Sequence, residues 1–161
     1  MLVPIDFSEI SLNALSHAAQ IANHFDNDLV LLSILEDDFL GAIFSFAKND
    51  VKEGLAKEAL LSRLQGIAAD IKKKYGIDCK IDVRSGKVYK TIIEAASDHL
   101  CDCIIMGTHG ASGIERVIGS TASKTISYSL TPVIVVKTNK NPNDYKNIVF
   151  PLDLSTESSK K

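Results

Sequence analysis

The sequence predicts an α/β fold: a doubly wound, five-stranded parallel sheet in the order 3-2-1-4-5, with helices on both faces. Three observations carry this expectation. Short apolar runs alternate along the chain with segments of helical apolar spacing. Each apolar run is separated from the next by a helix-length segment, the crossover that parallel strands require. The 161 residues, 45% of them hydrophobic, suffice for one domain with a sizeable core.

Leu2 to Ile5 is an apolar run closed by Asp6, and Leu29 to Leu35 is a second closed by Glu36, Asp37 and Asp38; both read as buried strands. Between them Leu12, Leu15, Ala18, Ala19, Ala22 and Phe25 recur at three- and four-residue steps behind Ser8, an N-cap residue, which predicts an amphipathic helix. From Asp50 to Tyr75 a looser helical period runs through Val51, Leu55, Leu64, Ile67, Ala68 and Ile71 and stops at Gly76, a C′ residue; this helix is expected to be long and partly exposed. Phe39, Phe44 and Phe46 lie in the connection before it and read either as a lid or partner surface or as packing against that helix. Ile77 to Val83 alternates apolar and polar, as a strand near a sheet edge does, and Tyr89 to Leu100 returns to helical spacing through Ile92, Ile93, Ala96 and Leu100. Cys103 to Met106 is the fourth strand, Gly119 to Leu130 the fourth helix, and Pro132 to Lys137, dense in β-branched residues, the fifth strand.

Composition narrows the function. A net charge of −2 offers no electrostatic footprint for a nucleic-acid backbone. No apolar run approaches the roughly 20 residues of a membrane span, and no Lys or Arg precedes Lys48, so neither a secretory signal nor a transit peptide is expected and the address reads as cytoplasmic. Cys79, Cys101 and Cys103 form an odd set without a C-x-x-C pair and read as buried, reduced thiols. His17 and His24 lie about 10 Å apart along a helix, too far for a shared metal.

After residue 138 the composition turns polar, and 139–147 reads as a linker. Val149-Phe150-Pro151-Leu152-Asp153-Leu154-Ser155 then repeats Leu2-Val3-Pro4-Ile5-Asp6-Phe7-Ser8 at one constant offset, and Ser158 matches Ser11. Residues 148–161 are therefore expected to be the first strand of a truncated second copy of the 1–138 domain.

The segment that carries chemistry is Gly107-Thr108-His109-Gly110-Ala111-Ser112-Gly113, continued to Gly119-Ser120-Thr121. It leaves strand four and enters helix four, whose free N–H groups and positive dipole end suit an anion, with Ser120 and Thr121 adding hydroxyl donors. It is neither a Walker loop nor a dinucleotide fingerprint. In a 3-2-1-4-5 sheet the order reverses between strands one and four, so Asp6 and this loop converge where a nucleotide would sit. Asp6 is then suited to a base or ribose, or serves only to cap the first helix.

Pro4-Ile5-Asp6-Phe7-Ser8, Gly107-Thr108-His109-Gly110, Gly119-Ser120 and Thr131-Pro132-Val133-Ile134-Val135-Val136 together resemble the universal stress protein family across residues 1–138, which implies a Rossmann-like sheet of the adenine nucleotide alpha hydrolase-like kind. In ATP-binding members the signature is G-x2-G-x9-G-[ST]. The resemblance implies that Gly107, Gly110, Gly119, Ser120 and Thr121 hold the phosphates and ribose of ATP, with Mg as its companion ion, and that Asp6 with the main chain at Ile34 and Met106 holds adenosine. Pro4 and Ile5, beside Asp6, complete the cofactor-binding set with His109 and Arg116, which also read as solvent-facing. The chain departs from the signature by placing eight residues, not nine, between Gly110 and Gly119. It also opens strand one at Met1-Leu2, which predicts a frayed start there.

The function expected is that of a nucleotide-binding stress-response protein without a catalytic site, since no nucleophile–base spacing appears and Lys124 is the lysine nearest the loop. The alternatives are a dimeric interaction scaffold that binds no nucleotide, and an ATP-hydrolysing or adenylyl-transferring enzyme on the same fold. The family pairs domains through their fifth strands, which implies a homodimer through Val133 to Lys137.

Overall fold

Ser8 starts the first helix as its sequence neighbourhood requires. Its hydroxyl accepts from the Ser11 N–H at 3.2 Å, and Asp26, in the left-handed conformation, ends the helix. The computed structural model describes residues 1–36, 49–108 and 119–137, together with Asn147 and Val149. The elements are β1 (Leu2–Pro4), α1 (Glu9–Phe25), β2 (Leu29–Leu35), α2 (Asn49–Tyr75), β3 (Cys79–Ser85), α3 (Val88–Asp98), β4 (Ile104–Gly107), α4 (Ser120–Tyr128) and β5 (Val133–Val136). Five strands pair in parallel in the order β3-β2-β1-β4-β5, as expected.

Because successive strand residues face opposite sides, the sheet sorts its own core. Val3, Leu29 and Leu31 pack with Ala14 and Ala18 of α1 and Leu64 and Ile71 of α2. Leu2, Val30 and Leu32 pack with Ile92 and Ala95 of α3 and Ala122 of α4. The outer strand β3 is tied to the end of α3 by ions: Arg84 donates to Asp82 at 2.8 Å and to Asp98 at 2.7 Å, and the His99 ring meets the same Asp82 oxygen at 2.8 Å. Burial opposes the charge on Arg84, yet the bonds to Asp98 and Asp82 outweigh it and hold the guanidinium pKa above its usual value.

Several expectations are corrected. Helix three ends at Asp98, and Leu100 is 88% exposed with φ +51. Phe25, at the last turn of α1, is 66% exposed, and Leu12 and Leu55 are exposed as well. The helices outgrow the strands: the 27 residues of α2 span about 40 Å against about 23 Å for a seven-residue strand, so its ends have no sheet to cover. The start of β1 is not frayed, because Leu2 N–H donates to Cys103 at 2.9 Å and Val30 N–H to Met1 at 2.8 Å. The thiols are free but only half-buried, since they sit at or beside the amino ends of strands. The linker and repeat expected over 139–161 lie outside the described residues except at Asn147 and Val149, both exposed.

Candidate functional site

A cleft of about 560 Å³ opens at the carboxyl ends of β1, β2 and β4, closed on one side by the first turn of α4. Its position follows from the topology, since β1 and β4 are adjacent strands whose connecting chains leave toward opposite faces. Pro4, Ile5 and Asp6 line it from the end of β1, Ile34 from β2, Met106 and Gly107 from β4, and Gly119, Ser120 and Thr121 from the start of α4. His109, Gly110 and Arg116 lie outside the described residues, as do Phe39, Phe44 and Phe46.

The turn after β1 is built around Asp6. One carboxylate oxygen accepts from the Ser8 N–H at 3.0 Å and from the Ser8 hydroxyl at 2.5 Å, so Asp6 buttresses the N-cap of α1 while remaining exposed in the cleft. Between them Phe7 takes φ +62, a left-handed conformation rare for an aromatic residue. Its ring is covered by Arg63 of α2, whose guanidinium carbon lies 3.7 Å from the ring centroid. Phe7 thus also lines the cleft, a role its place between Asp6 and Ser8 did not reveal.

The two described glycines of the loop do different work. A Cβ on Gly107 would lie 2.2 Å from Cγ2 of Ile10, so the missing side chain lets α1 approach β4. Gly119 has φ −60 and ψ 155, an ordinary extended N-cap, and its N–H is consumed by the Thr108 carbonyl at 2.7 Å. The helix begins at Ser120, and the N–H groups of Ser120, Thr121 and Ala122, residues that line the cleft, have no partner among the described residues. Among the described lining residues the formal charges are the carboxylates of Asp6 and Glu36, so the α4 dipole supplies the positive field. No cluster of three or more His, Cys, Asp or Glu able to hold a metal occurs among the described residues. Nor, among them, is any helix long and apolar enough to cross a membrane.

Fold and cleft together define the class: a five-stranded parallel α/β protein with a ligand-sized cleft at the switch in strand order. The chain belongs to the universal stress protein family, whose model matches residues 1–137. It is 30% identical over 144 residues to universal stress protein MJ0531 of Methanocaldococcus jannaschii, covering 87% of this chain and 82% of that one. It is 27% identical over 153 residues to MJ0577 of the same organism, covering 85% and 93%. The solved structure of MJ0577 superposes with a TM-score of 0.68 over 87% of this chain and 96% of that chain, at 27% identity. A universal stress protein solved in complex with cAMP shares the fold at a TM-score of 0.62 and 24% identity, covering 86% of this chain and 95% of that chain. So does one from Archaeoglobus fulgidus in complex with dAMP, at 0.59 and 21%, covering 84% and 95%.

Proposed function

We propose that this chain is a nucleotide-binding stress-response protein, taking an adenine nucleotide, ATP with Mg, in the cleft and having no catalytic site of its own. The observation that carries the reading is the first turn of α4, whose N–H groups have no partner among the described residues and border a cleft that Asp6 lines from the other strand of the switch. The cleft volume lies in the range of small-molecule sites. Two structural neighbours hold adenine nucleotides, cAMP and dAMP, which supports the ligand class. Because the described lining carries carboxylates, a divalent cation on the phosphates would offset their charge against Asp6 and Glu36.

Mass spectrometry of ligand released from the purified protein, followed by calorimetric titration with MgATP, tests the reading. Asp6→Asn is expected to weaken binding by roughly 1.5–3 kcal/mol if the carboxylate accepts a bond from the nucleoside. A lower Tm with unchanged affinity would reduce Asp6 to a helix cap, and no uptake by the wild type would favour the scaffold reading. Assembly belongs to the same proposal: β5 is a sheet edge with Ile134 exposed, and a homodimer through Val133 to Lys137 would cover it. Light scattering that finds a monomer at micromolar concentration would exclude that pairing. The proposal places the protein in the cytoplasm and takes 148–161 as the opening of a second such domain.

A further inference from the structure

Outside the cleft, four side chains from α3 and α4 gather into one cluster. The Lys87 and Lys124 ammonium groups lie 5.6 and 5.7 Å from the centroid of the Tyr89 ring, and the Tyr128 ring lies 5.8 Å from that of Tyr89, tilted by 35°. Two like charges from different helices thus converge on one aromatic surface, in a chain whose net charge is −2. α4 carries no acidic residue, nor does the first turn of α3, and neither lysine has an ion-pair partner among the described residues. An exposed cation–π contact repays such convergence only modestly, so paired ammonium groups beside two tyrosines suit an anion that carries an aromatic ring.

The cluster adjoins the cleft. Lys87 directly precedes Val88, and Lys124 stands one helical turn beyond Ser120, about 6 Å at ~1.5 Å per residue; Val88 and Ser120 both line the cleft. Tyr128 follows after a further turn of α4 and is 67% exposed. Among its described lining residues the cleft itself holds no lysine or arginine. A phosphate chain that begins at the first turn of α4 and continues along that helix therefore meets fixed positive charge at the second turn and an open aromatic face at the third.

We propose that the groove between α3 and α4 takes the distal half of a dinucleoside polyphosphate whose first nucleotide occupies the cleft. Lys87 Nζ and Lys124 Nζ donate to the distal phosphates, and the distal base stacks on the exposed ring of Tyr128. This assignment rests on the nucleotide reading of the cleft and extends it to a class of ligand with two bases. Ammonium groups on phosphates and an aromatic ring under a base are the contacts by which proteins hold nucleotides without reading their sequence, and the cluster supplies both in the order the ligand presents them.

The test is calorimetric titration of the full chain with ATP and with diadenosine tetraphosphate, in wild type, Tyr128→Ala, Tyr128→Phe and the double variant Lys87→Gln/Lys124→Gln. Wild type is expected to bind the dinucleotide roughly five- to thirtyfold more tightly than ATP. Tyr128→Ala should bring the two ligands within about twofold of each other with ATP affinity unchanged, and Tyr128→Phe, which keeps the ring, should retain the preference. The lysine double variant should lose most of the preference and flatten its dependence on salt. Equal affinities in wild type, a preference that survives Tyr128→Ala or the lysine variant, or a Tyr128→Ala loss shared by ATP would each overturn the groove assignment while leaving the nucleotide reading of the cleft in place. A wild type that takes up neither ligand would instead remove that reading, and the groove assignment with it.

Discussion

At the amino-terminal edge of the sheet, Leu2 donates to Cys103 at 2.9 Å, Val30 to Met1 at 2.8 Å and Ile104 to Pro132 at 2.8 Å, and the Met1 ammonium reaches the Asp28 carbonyl at 2.8 Å. At the carboxyl edge, Phe7 is left-handed, and among the described residues neither the buried Ser33 hydroxyl nor the first N–H groups of α4 have a partner. The same strands run between both edges, so the contrast arises in what the chain does as it leaves them. Left-handed residues occur at both ends, Asp26 and Leu100 at the amino edge and Phe7 at the carboxyl edge, so what separates the ends is pairing: one joins its polar groups to the fold, and the other leaves several without a partner among the described residues where the cleft lies. Such local violations concentrate where a protein binds something, because groups already paired with the fold are not available to a ligand.

The largest effect is expected at Gly107, which sits at the carboxyl edge yet answers to packing. Gly107→Ala would put a methyl 2.2 Å from the branched side chain of Ile10 and 3.3 Å from its backbone, so α1 must shift. A cost of about 1–3 kcal/mol follows, read as a lower Tm. An unchanged Tm would show that α1 and β4 are loosely joined there and that the contrast between the edges extends into the core.

Next comes the amino-terminal edge, tested through Cys79 at the start of β3. Burial first, then the carboxylates of Asp78 and Asp28, push its pKa up to about 11. At pH 8 this lowers the thiolate fraction about a hundredfold relative to an ordinary thiol, while the greater nucleophilicity of a high-pKa thiolate returns about a tenfold gain. Alkylation of Cys79 in the folded chain is therefore expected to run about tenfold slower than in urea, followed by peptide mass spectrometry. The sign for stability follows from linkage: a raised thiol pKa favours the folded state fully below pH 9, and that contribution is lost between pH 9 and about 11. Equal rates folded and unfolded would mean the amino-terminal edge is open to solvent.

Much of this contrast was legible in the sequence, and the part that was not has a common cause. Apolar runs and helical periods specify the five strands and the helices between them, because periodicity reports which elements must be buried, and the switch point of a doubly wound sheet then brings Asp6 together with Gly107 and Gly119. It does not report how far each helix extends past the sheet, which is why Phe25, Leu55 and Leu100 fell on an apolar stripe and stand in solvent. Nor does it tell a glycine needed by a ligand from one needed by a neighbouring helix, as Gly107 is needed by Ile10. Arg63 was silent for a related reason: an Arg on a long helix acquires meaning only through what another segment places beside it, here the Phe7 ring.

The smallest effect isolates the turn that carries Asp6. Holding an aromatic residue left-handed costs about 1–3 kcal/mol, so the conformation of Phe7 persists only while its neighbours insist on it. Those neighbours are the Asp6 carboxylate with its two bonds to Ser8, the cap from Ser8 to Ser11, and Arg63 over the ring. Arg63 is exposed, so its cation–π contact is worth about 0.5–1 kcal/mol. Arg63→Ala should lower Tm by about 1–4 °C, and Arg63→Lys should recover part of the loss, since an ammonium keeps the charge but not the flat stacking surface. In a Phe7→Gly background the ring is absent and glycine accepts the left-handed backbone freely, so the Arg63→Ala change should then have no effect. If the Arg63→Ala loss persists in that background, Arg63 acts through some other contact, and the turn at the carboxyl edge is held by Asp6 and Ser8 alone.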